Sequence, residues 1–451
     1  MSRGWWGAVV VACALPAPAA QAAPTALARA APEQELALAG DAALVSRVAG
    51  RDLSIVALGP GGERTVGVRR VPAGASPDAR LTASASRIGL IVITETRRSD
   101  LASAELLSGP AAGPLAPLGP VVSSRGSGML PVGALVDGDR LIETRIRADL
   151  GRIDHRVHEP GREPLAVTLP EDSSVDAFAG DLIAYTRRGP GQPAGDEDRV
   201  LVVAEWRTGA IRSRTPVPGG IESVDVAADG SALVGEDGGG VLEVAPGGAG
   251  VRRISRDGLR PQFAGRAAVY LRSGPREGDD RLAIAAPGAA PRPFGVRSAE
   301  IGSFAADERR VVWAANGCVL SAPLDAPAAA APDPGPCPRS ELYFDDELSQ
   351  RVGRDGRVPL LLRCIAAAPP GCVGRVELRG DAGDRRLGSA RFAIPAATRR
   401  RIVVRLDRRA RAAVRRESRL GLGAGLEVRA VTVDPDGRRS VLTDGHAIEI
   451  R

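Results

Sequence analysis

Residues 175–186 read VDAFAGDLIAYT, and this short sentence of sequence recurs through most of the chain. Leu182-Ile183-Ala184-Tyr185 alternates with period two, the pattern of a strand with one face packed. Gly180-Asp181 before it is a turn pair, because glycine and aspartate accept the backbone angles that a tight reversal demands. Strand, turn, strand is therefore the reading. The same arrangement returns as LALAGDAALVSR at 36–47, LTASASRIGLIVIT at 81–94, VGALVDGDRLIET at 132–144, VDVAADGSALVG at 224–235, PQFAGRAAVYL at 261–271 and GSFAADERRVVWA at 302–314. With Asp41, Arg87, Asp139, Asp181, Gly230, Arg266 and Asp307 as anchors, the intervals are 46, 52, 42, 49, 36 and 41 residues. A period of ~40–45 residues, carrying about four short strands, is what one blade of a β-propeller requires. Each blade is a twisted sheet that cannot bury both faces alone, so several must pack around a ring. The expectation is an all-β chain with a propeller of about seven blades; six or eight are the neighbouring counts, because the first repeat starts close to the beginning of the chain and ring closure can borrow a strand from it.

The turn cores Ala39-Gly40-Asp41, Val136-Asp137-Gly138-Asp139, Ala179-Gly180-Asp181 and Ala228-Asp229-Gly230, each followed by an apolar strand, resemble those of secreted TolB-like and WD-like propeller repeats. The Trp-Asp dipeptide and the Gly-His pair of intracellular WD repeats are missing. The resemblance implies an architecture used by binding proteins and by carriers of diverse active sites, and no particular activity.

The 451 residues hold 60 Lys+Arg, all of them arginine, against 54 Asp+Glu, with 44% hydrophobic and 3% aromatic residues. This is too apolar and too balanced for a disordered chain. The start of the chain has the form of a leader: Arg3, an apolar stretch over 4–15, then Ala20-Gln21-Ala22 as a small-x-small cleavage pattern. Residues 1–22 are expected to be a signal peptide, the protein to be exported (secreted, on the cell surface or periplasmic), and no transmembrane span to follow. The rival is a lipoprotein anchored at Cys13, on the lipobox-like Val10-Val11-Ala12-Cys13. After cleavage four cysteines remain, Cys318, Cys337, Cys364 and Cys372. An even number in an exported chain reads as disulfides. Of the three pairings, Cys318–Cys337 with Cys364–Cys372 is favoured because each pair brackets a Pro-rich loop. Zinc would want paired ligands such as C-x-x-C, and the spacings offer none.

Domain organisation follows: signal peptide 1–22, propeller 23–339, and a C-terminal unit at 340–451 whose six strand-like runs suggest an immunoglobulin-like β-sandwich. Asp434-Pro-Asp-Gly437 reads as a hairpin turn, since a calcium loop would need further oxygen ligands. Residues 340–451 carry 23 Arg against 15 Asp+Glu. Nine of them crowd into 399–416: Arg399, Arg400, Arg401, Arg405, Arg408, Arg409, Arg411, Arg415 and Arg416. The plainer account is a strand with outward arginines followed by a short solvated helix at 407–416. The functional account is a surface for an anionic partner such as a cell-envelope polymer. Aromatics are absent there, which speaks against stacking on bases, and nucleic acid is not an expected partner.

Catalytic constellations are hard to assemble. His155-Arg-Val-His158 would splay its rings to opposite faces of a strand, and a surface or loop role is expected for both. His446 has no motif around it. There is no G-x-S-x-G elbow, no H-E-x-x-H, and no Walker loop is available to a chain without lysine. Asp137, Asp139 and Asp181 read as turn residues bonded to nearby backbone N–H groups. No metal, cofactor or catalytic residue is assigned. The leading expectation is a monomeric, non-enzymatic exported binding or scaffold protein facing a protein or an anionic envelope polymer. The alternative is an exported hydrolase or lyase with its site in the central funnel. The funnel decides between them: converging carboxylates and arginines for an enzyme, a plugged or bland interior for a scaffold.

Overall fold

The computed structural model describes residues 24–29, 35–49, 51–72, 75–96, 102–124, 129–147, 152–170, 173–188, 199–273, 280–298, 301–315, 318–326, 342–344, 349–352, 355–364, 371–380, 383–395, 398–419, 424–433 and 439–450. Between 24 and 326 every anchor turn joins the first two strands of an antiparallel sheet, and seven such sheets follow one another. The fourth is representative: Ser174–Ala179, Leu182–Arg188, Arg199–Glu205 and Ile211–Val217, paired in sequence order. The seventh differs in one respect. Its strands Phe304–Ala306, Arg310–Ala315 and Cys318–Pro323 are completed by Thr25–Arg29 from the other end of the chain, with Thr25 opposite Ser321.

Burial explains the arrangement. Apolar residues of each sheet are shared with the next, as where Leu44 and Ile55 of the first meet Ile88 and Leu90 of the second. In the same way Tyr185 and Val202 of the fourth meet Ile142 and Val157 of the third. The last cluster joins Val312 and Val319 of the seventh sheet to Val45 and Val56 of the first, and Leu27 and Ala28 pack on it. The all-β chain and its four-stranded sheets are consistent with a propeller.

The anchor turns use two chemistries. In five sheets Gly40, Gly138, Gly180, Gly230 and Gly265 take positive φ between 55° and 87°, a region open to glycine at little cost. The second and seventh sheets have no glycine there, and side chains substitute. Ser84 Oγ accepts the N–H groups of Ser86 and Arg87, and Asp307 Oδ1 those of Arg309 and Arg310.

C-terminal to this, Leu342–Phe344, Arg357–Cys364 and Arg399–Arg405 form one sheet. Ser349–Val352, Cys372–Gly380, Gly383–Ile394, Ala424–Val433 and Arg439–Ile450 form a second. Val358, Leu360 and Val404 of the first share a core with Val376, Leu378 and Val428 of the second. The expected helix is present as Arg408–Arg419. The 434–437 turn lies outside the described residues, as do the leader and Cys13, although Val433 pairs with Arg439 across it. Cys364 and Cys372 are joined. Cys318 is also disulfide-bonded, and its expected partner Cys337 lies outside the described residues. Replacing Cys364 and Cys372 by serine frees the loop between them in the unfolded chain. The expected loss is about 2.6 kcal/mol from loop-closure entropy, read from urea midpoints of the two forms.

Candidate functional site

The first strand of each sheet packs against the first strand of the next, and Leu36–Ala39 of sheet one meets Phe304–Ala306 of sheet seven. These seven strands surround the centre of the array. Four of them carry a β-bulge, at 131/133, 175/177, 221/223 and 259/262. A bulge adds one unpaired residue to a strand and re-aims its side chain. Here that places Asp176 and Arg260 out of register with their neighbours. Arg260 is the one non-glycine residue with positive φ (50°) among the described residues, a strained conformation that the surrounding packing must hold.

Two adjoining cavities lie among these strands. One of about 430 Å³ is bordered by Leu36, Leu38, Thr82, Gln262, Ala306 and the 307–309 turn. The other, about 350 Å³, is bordered by Thr82, Asp176, Ser223, Asp225, Arg260 and Gln262. The interior is therefore neither plugged nor bland. Charged groups of both signs converge on it.

The two carboxyls of the second cavity have different partners. Asp225 Oδ1 accepts the N–H of Val226 at 2.9 Å, and Oδ2 that of Phe263, on the next sheet, at 2.6 Å. Burial still pushes its carboxyl up to about 6, against the pull of those two donors. Asp176 is also pushed up to about 6 by burial, while Thr186 and then Arg199 act in the opposite direction. Its Oδ2 is buried without a hydrogen-bond partner. The Ser223 hydroxyl is in the same condition. A buried polar atom left unpaired costs roughly 1–3 kcal/mol, so such atoms beside a cavity call for a ligand or water. Glu35 is raised by burial first and by Asp78 next, with Arg260 and Arg80 opposing.

Arginines tie several of the sheets to their neighbours. Arg87 Nη1 donates to the carbonyls of Asp139 and His158 at 2.7 and 2.9 Å, and Arg140 Nη1 to Gly180 O and Asp181 Oδ1, both at 2.8 Å. Arg309 reaches Asp41 Oδ1 at 3.2 Å, closing the series between the last sheet and the first. These contacts correct the expectation for two of the turn acids, Asp137 and Asp181. Asp137 Oδ2 accepts the Gly180 N–H at 2.7 Å, on the following sheet, and Asp181 pairs with Arg140. They hold sheet to sheet, where local turn bonding was expected. None of Asp137, Asp139 and Asp181 borders the two cavities.

The histidines need a second correction. His155 and His158 lie in the strand Arg152–His158 and are buried at 3% and 9% exposure, where a surface or loop was expected. Their strand packs on the fourth sheet, and each ring has a partner: His155 Nδ1 with Thr144 Oγ1 at 3.1 Å, and His158 Nε2 with Glu143 Oε2 at 3.0 Å. Among the described residues no group of three or more His, Cys, Asp and Glu could hold a metal ion. No described helix is long and apolar enough to cross a membrane. Of the nine arginines at 399–416, Arg399, Arg400, Arg401, Arg405, Arg408, Arg409, Arg415 and Arg416 are exposed and Arg411 is half-buried.

No protein-family model matches the chain, and no curated protein does. Among solved structures it is similar to an acylaminoacyl peptidase of Pyrococcus horikoshii, at 12% identity and TM-score 0.43, over 73% of this chain and 57% of that one. It is similar to YCF48 bound to a D1 peptide, at 11% identity and TM-score 0.40, over 69% and 100%. It is also similar to the tricorn protease, at 11% identity and TM-score 0.24, over 92% and 48%. All three are β-propeller proteins. The chain spans 57% of the length of the peptidase.

Proposed function

We propose that this chain is an exported, non-enzymatic binding protein whose ligand sits at the centre of the ring. In this reading residues 23–339 are a seven-bladed propeller of the secreted TolB-like kind, and residues 340–451 an immunoglobulin-like sandwich. Seven sheets, the last packed on the first, support the blade count. Two facing sheets around one core support the sandwich. The Cys364–Cys372 disulfide favours an oxidising compartment.

The observation that carries the reading is the second cavity, where Asp176 keeps one carboxylate oxygen without a partner while Arg260 and Gln262 line the same space. An ionised carboxylate held out of water recognises an N–H donor or a cation by a charge-assisted bond. The ligand is therefore a small molecule bearing an amino or guanidinium group. Binding is favoured over catalysis because both oxygens of Asp225 are already taken by backbone N–H groups. That leaves Asp176 Oδ2 as the one oxygen of the two carboxyls without a partner, whereas glycoside hydrolysis uses two carboxyls.

A second reading, a hydrolase or lyase in the same funnel, is favoured by the convergence of Asp176, Asp225 and Arg260 on the cavity, the arrangement expected of an enzyme, and by the two carboxyls raised to about 6, a common property of acid–base catalysts. Calorimetric titration with small amines, amino sugars and amino acids separates the two. Saturable binding that Asp176→Asn weakens by about tenfold or more is expected. Turnover of a glycoside, ester or peptide substrate that the same variant abolishes would install the second reading. Neither binding nor turnover would overturn both.

A further inference from the structure

The sandwich carries a feature that the axial cavity does not explain. Its strands Arg357–Cys364 and Arg399–Arg405 pair antiparallel, with Val358, Leu360, Leu362, Ile402 and Val404 turned into the core. The alternate residues face outward, and five of them are arginine: Arg357, Arg363, Arg399, Arg401 and Arg405. Arg357 stands opposite Arg405, and Arg363 opposite Arg399. Like charges directly across a strand pair destabilise a sheet.

The helix repeats the choice. Asp407 caps it, Oδ1 accepting the Ala410 N–H at 2.6 Å, yet its first turn holds Arg408 and Arg409 and no acid. Cations at that end oppose the helix dipole. Arg411 packs over Gly356, next to Arg357, and donates toward Asp355 O, so strand face and helix are continuous. Asp355 pairs with Arg357 at 3.1 Å, whereas Arg401, Arg405, Arg408, Arg409 and Arg416 form no ion pair with a described residue.

We propose that this face is a docking surface for a linear, phosphate-bearing polymer. Alternate residues along a strand stand about 7 Å apart, so Arg399 and Arg401 are adjacent on this face and Arg405 follows two steps on, past the exposed Val403, a spread suited to the anionic groups of an extended polymer. Guanidinium groups bind phosphate oxygens in bidentate fashion. A bilayer fits less well. An interfacial helix inserts its apolar face into lipid, and here Ala410 and Val414 are already buried in the sandwich core. Single-stranded nucleic acid would want aromatic platforms, and neither strand nor helix has one.

The test titrates end-labelled long-chain inorganic polyphosphate with the full chain between about 50 and 200 mM salt, where counterion release makes affinity fall steeply. Arg401→Ser, Arg405→Ser, Arg408→Ser and Arg409→Ser together are expected to weaken binding about tenfold or more and to flatten the salt dependence. A variant with the same charge change on the propeller, Arg156→Ser, Arg214→Ser, Arg256→Ser and Arg266→Ser, is expected to stay within about twofold of the parent. All eight side chains are exposed, so both variants should keep the parent's urea midpoint. If the sandwich variant loses it, the pairs 401/405 and 408/409 are read separately. Any of four results overturns the proposal: no binding at the lowest salt, equal losses in the two variants, binding to polyglutamate as tight as to polyphosphate, or vesicles of anionic lipid held more tightly than the polymer through the same arginines.

Discussion

Trp313→Ala is expected to lower the unfolding free energy by about 3–5 kcal/mol, the range for truncating a large aromatic in a tight core. Trp313 is fully buried between the sixth and seventh sheets. It meets Phe294 edge to face at 5.7 Å. Gly295, at φ 66°, leaves room for the indole, because a Cβ there would stand 2.9 Å from its ring. Alanine would open a cavity at one of the joints on which the closed array depends, and neighbouring strands already paired in ladders have little freedom to collapse into it. The indole N–H is buried with no acceptor. Trp313→Phe therefore removes an unsatisfied donor together with some volume, and is expected to cost under about 1.5 kcal/mol. Urea unfolding of the three forms checks both figures. An alanine variant within about 1 kcal/mol of the parent would mean that packing between sheets is not what holds the array together.

The sheets were legible because their signal is local and repeated. Alternation, a small-residue turn and a second alternating run encode each first hairpin, and Gly40, Gly138, Gly180, Gly230 and Gly265 mark the reversals outright. That ring closure borrows a strand from near the start of the array was an expectation, but the residues that supply it, Thr25–Arg29, were not legible, since their pairing with Cys318–Pro323 joins the two ends of the array and leaves no local trace. The cavity residues were harder still. Asp176 and Asp225 lie five residues before the anchors Asp181 and Gly230, each an acid within an apolar run. That interruption was available as a signal. Whether such an acid faces solvent, a neighbouring sheet or the centre depends on where a bulge falls, and Asp176 sits at one while Asp225 does not. The turn acids show the converse. Their place in turns was legible, but their partners lie about one repeat away in sequence, as Gly180 does from Asp137.

Asp176→Asn should change the pH dependence of stability in a defined direction. A carboxyl whose folded-state pKa stands above its unfolded value holds its proton more tightly when folded, so ionisation costs the fold stability. For Asp176 the ordinary value is 3.8 and the folded value about 6. Its penalty is absent below the first, grows as pH rises between the two and is complete above the second. The same holds for Asp225. The separation corresponds to roughly 3 kcal/mol per carboxyl. Other groups act oppositely. His155, lowered by burial, favours the fold more as pH rises through its ordinary 6.5, and Glu63, held low by Arg47, stabilises less once acid protonates it. Whole-protein pH curves blend these contributions, so the informative quantity is the difference between variant and parent. Asparagine carries no charge to desolvate, and its stability relative to the parent is expected to improve by about 2 kcal/mol between pH 4.5 and 7.5. Urea midpoints across that interval measure it. A difference that stays flat would mean Asp176 is solvated at the centre of the ring, and the cavity would then have no withdrawn carboxylate to offer a ligand.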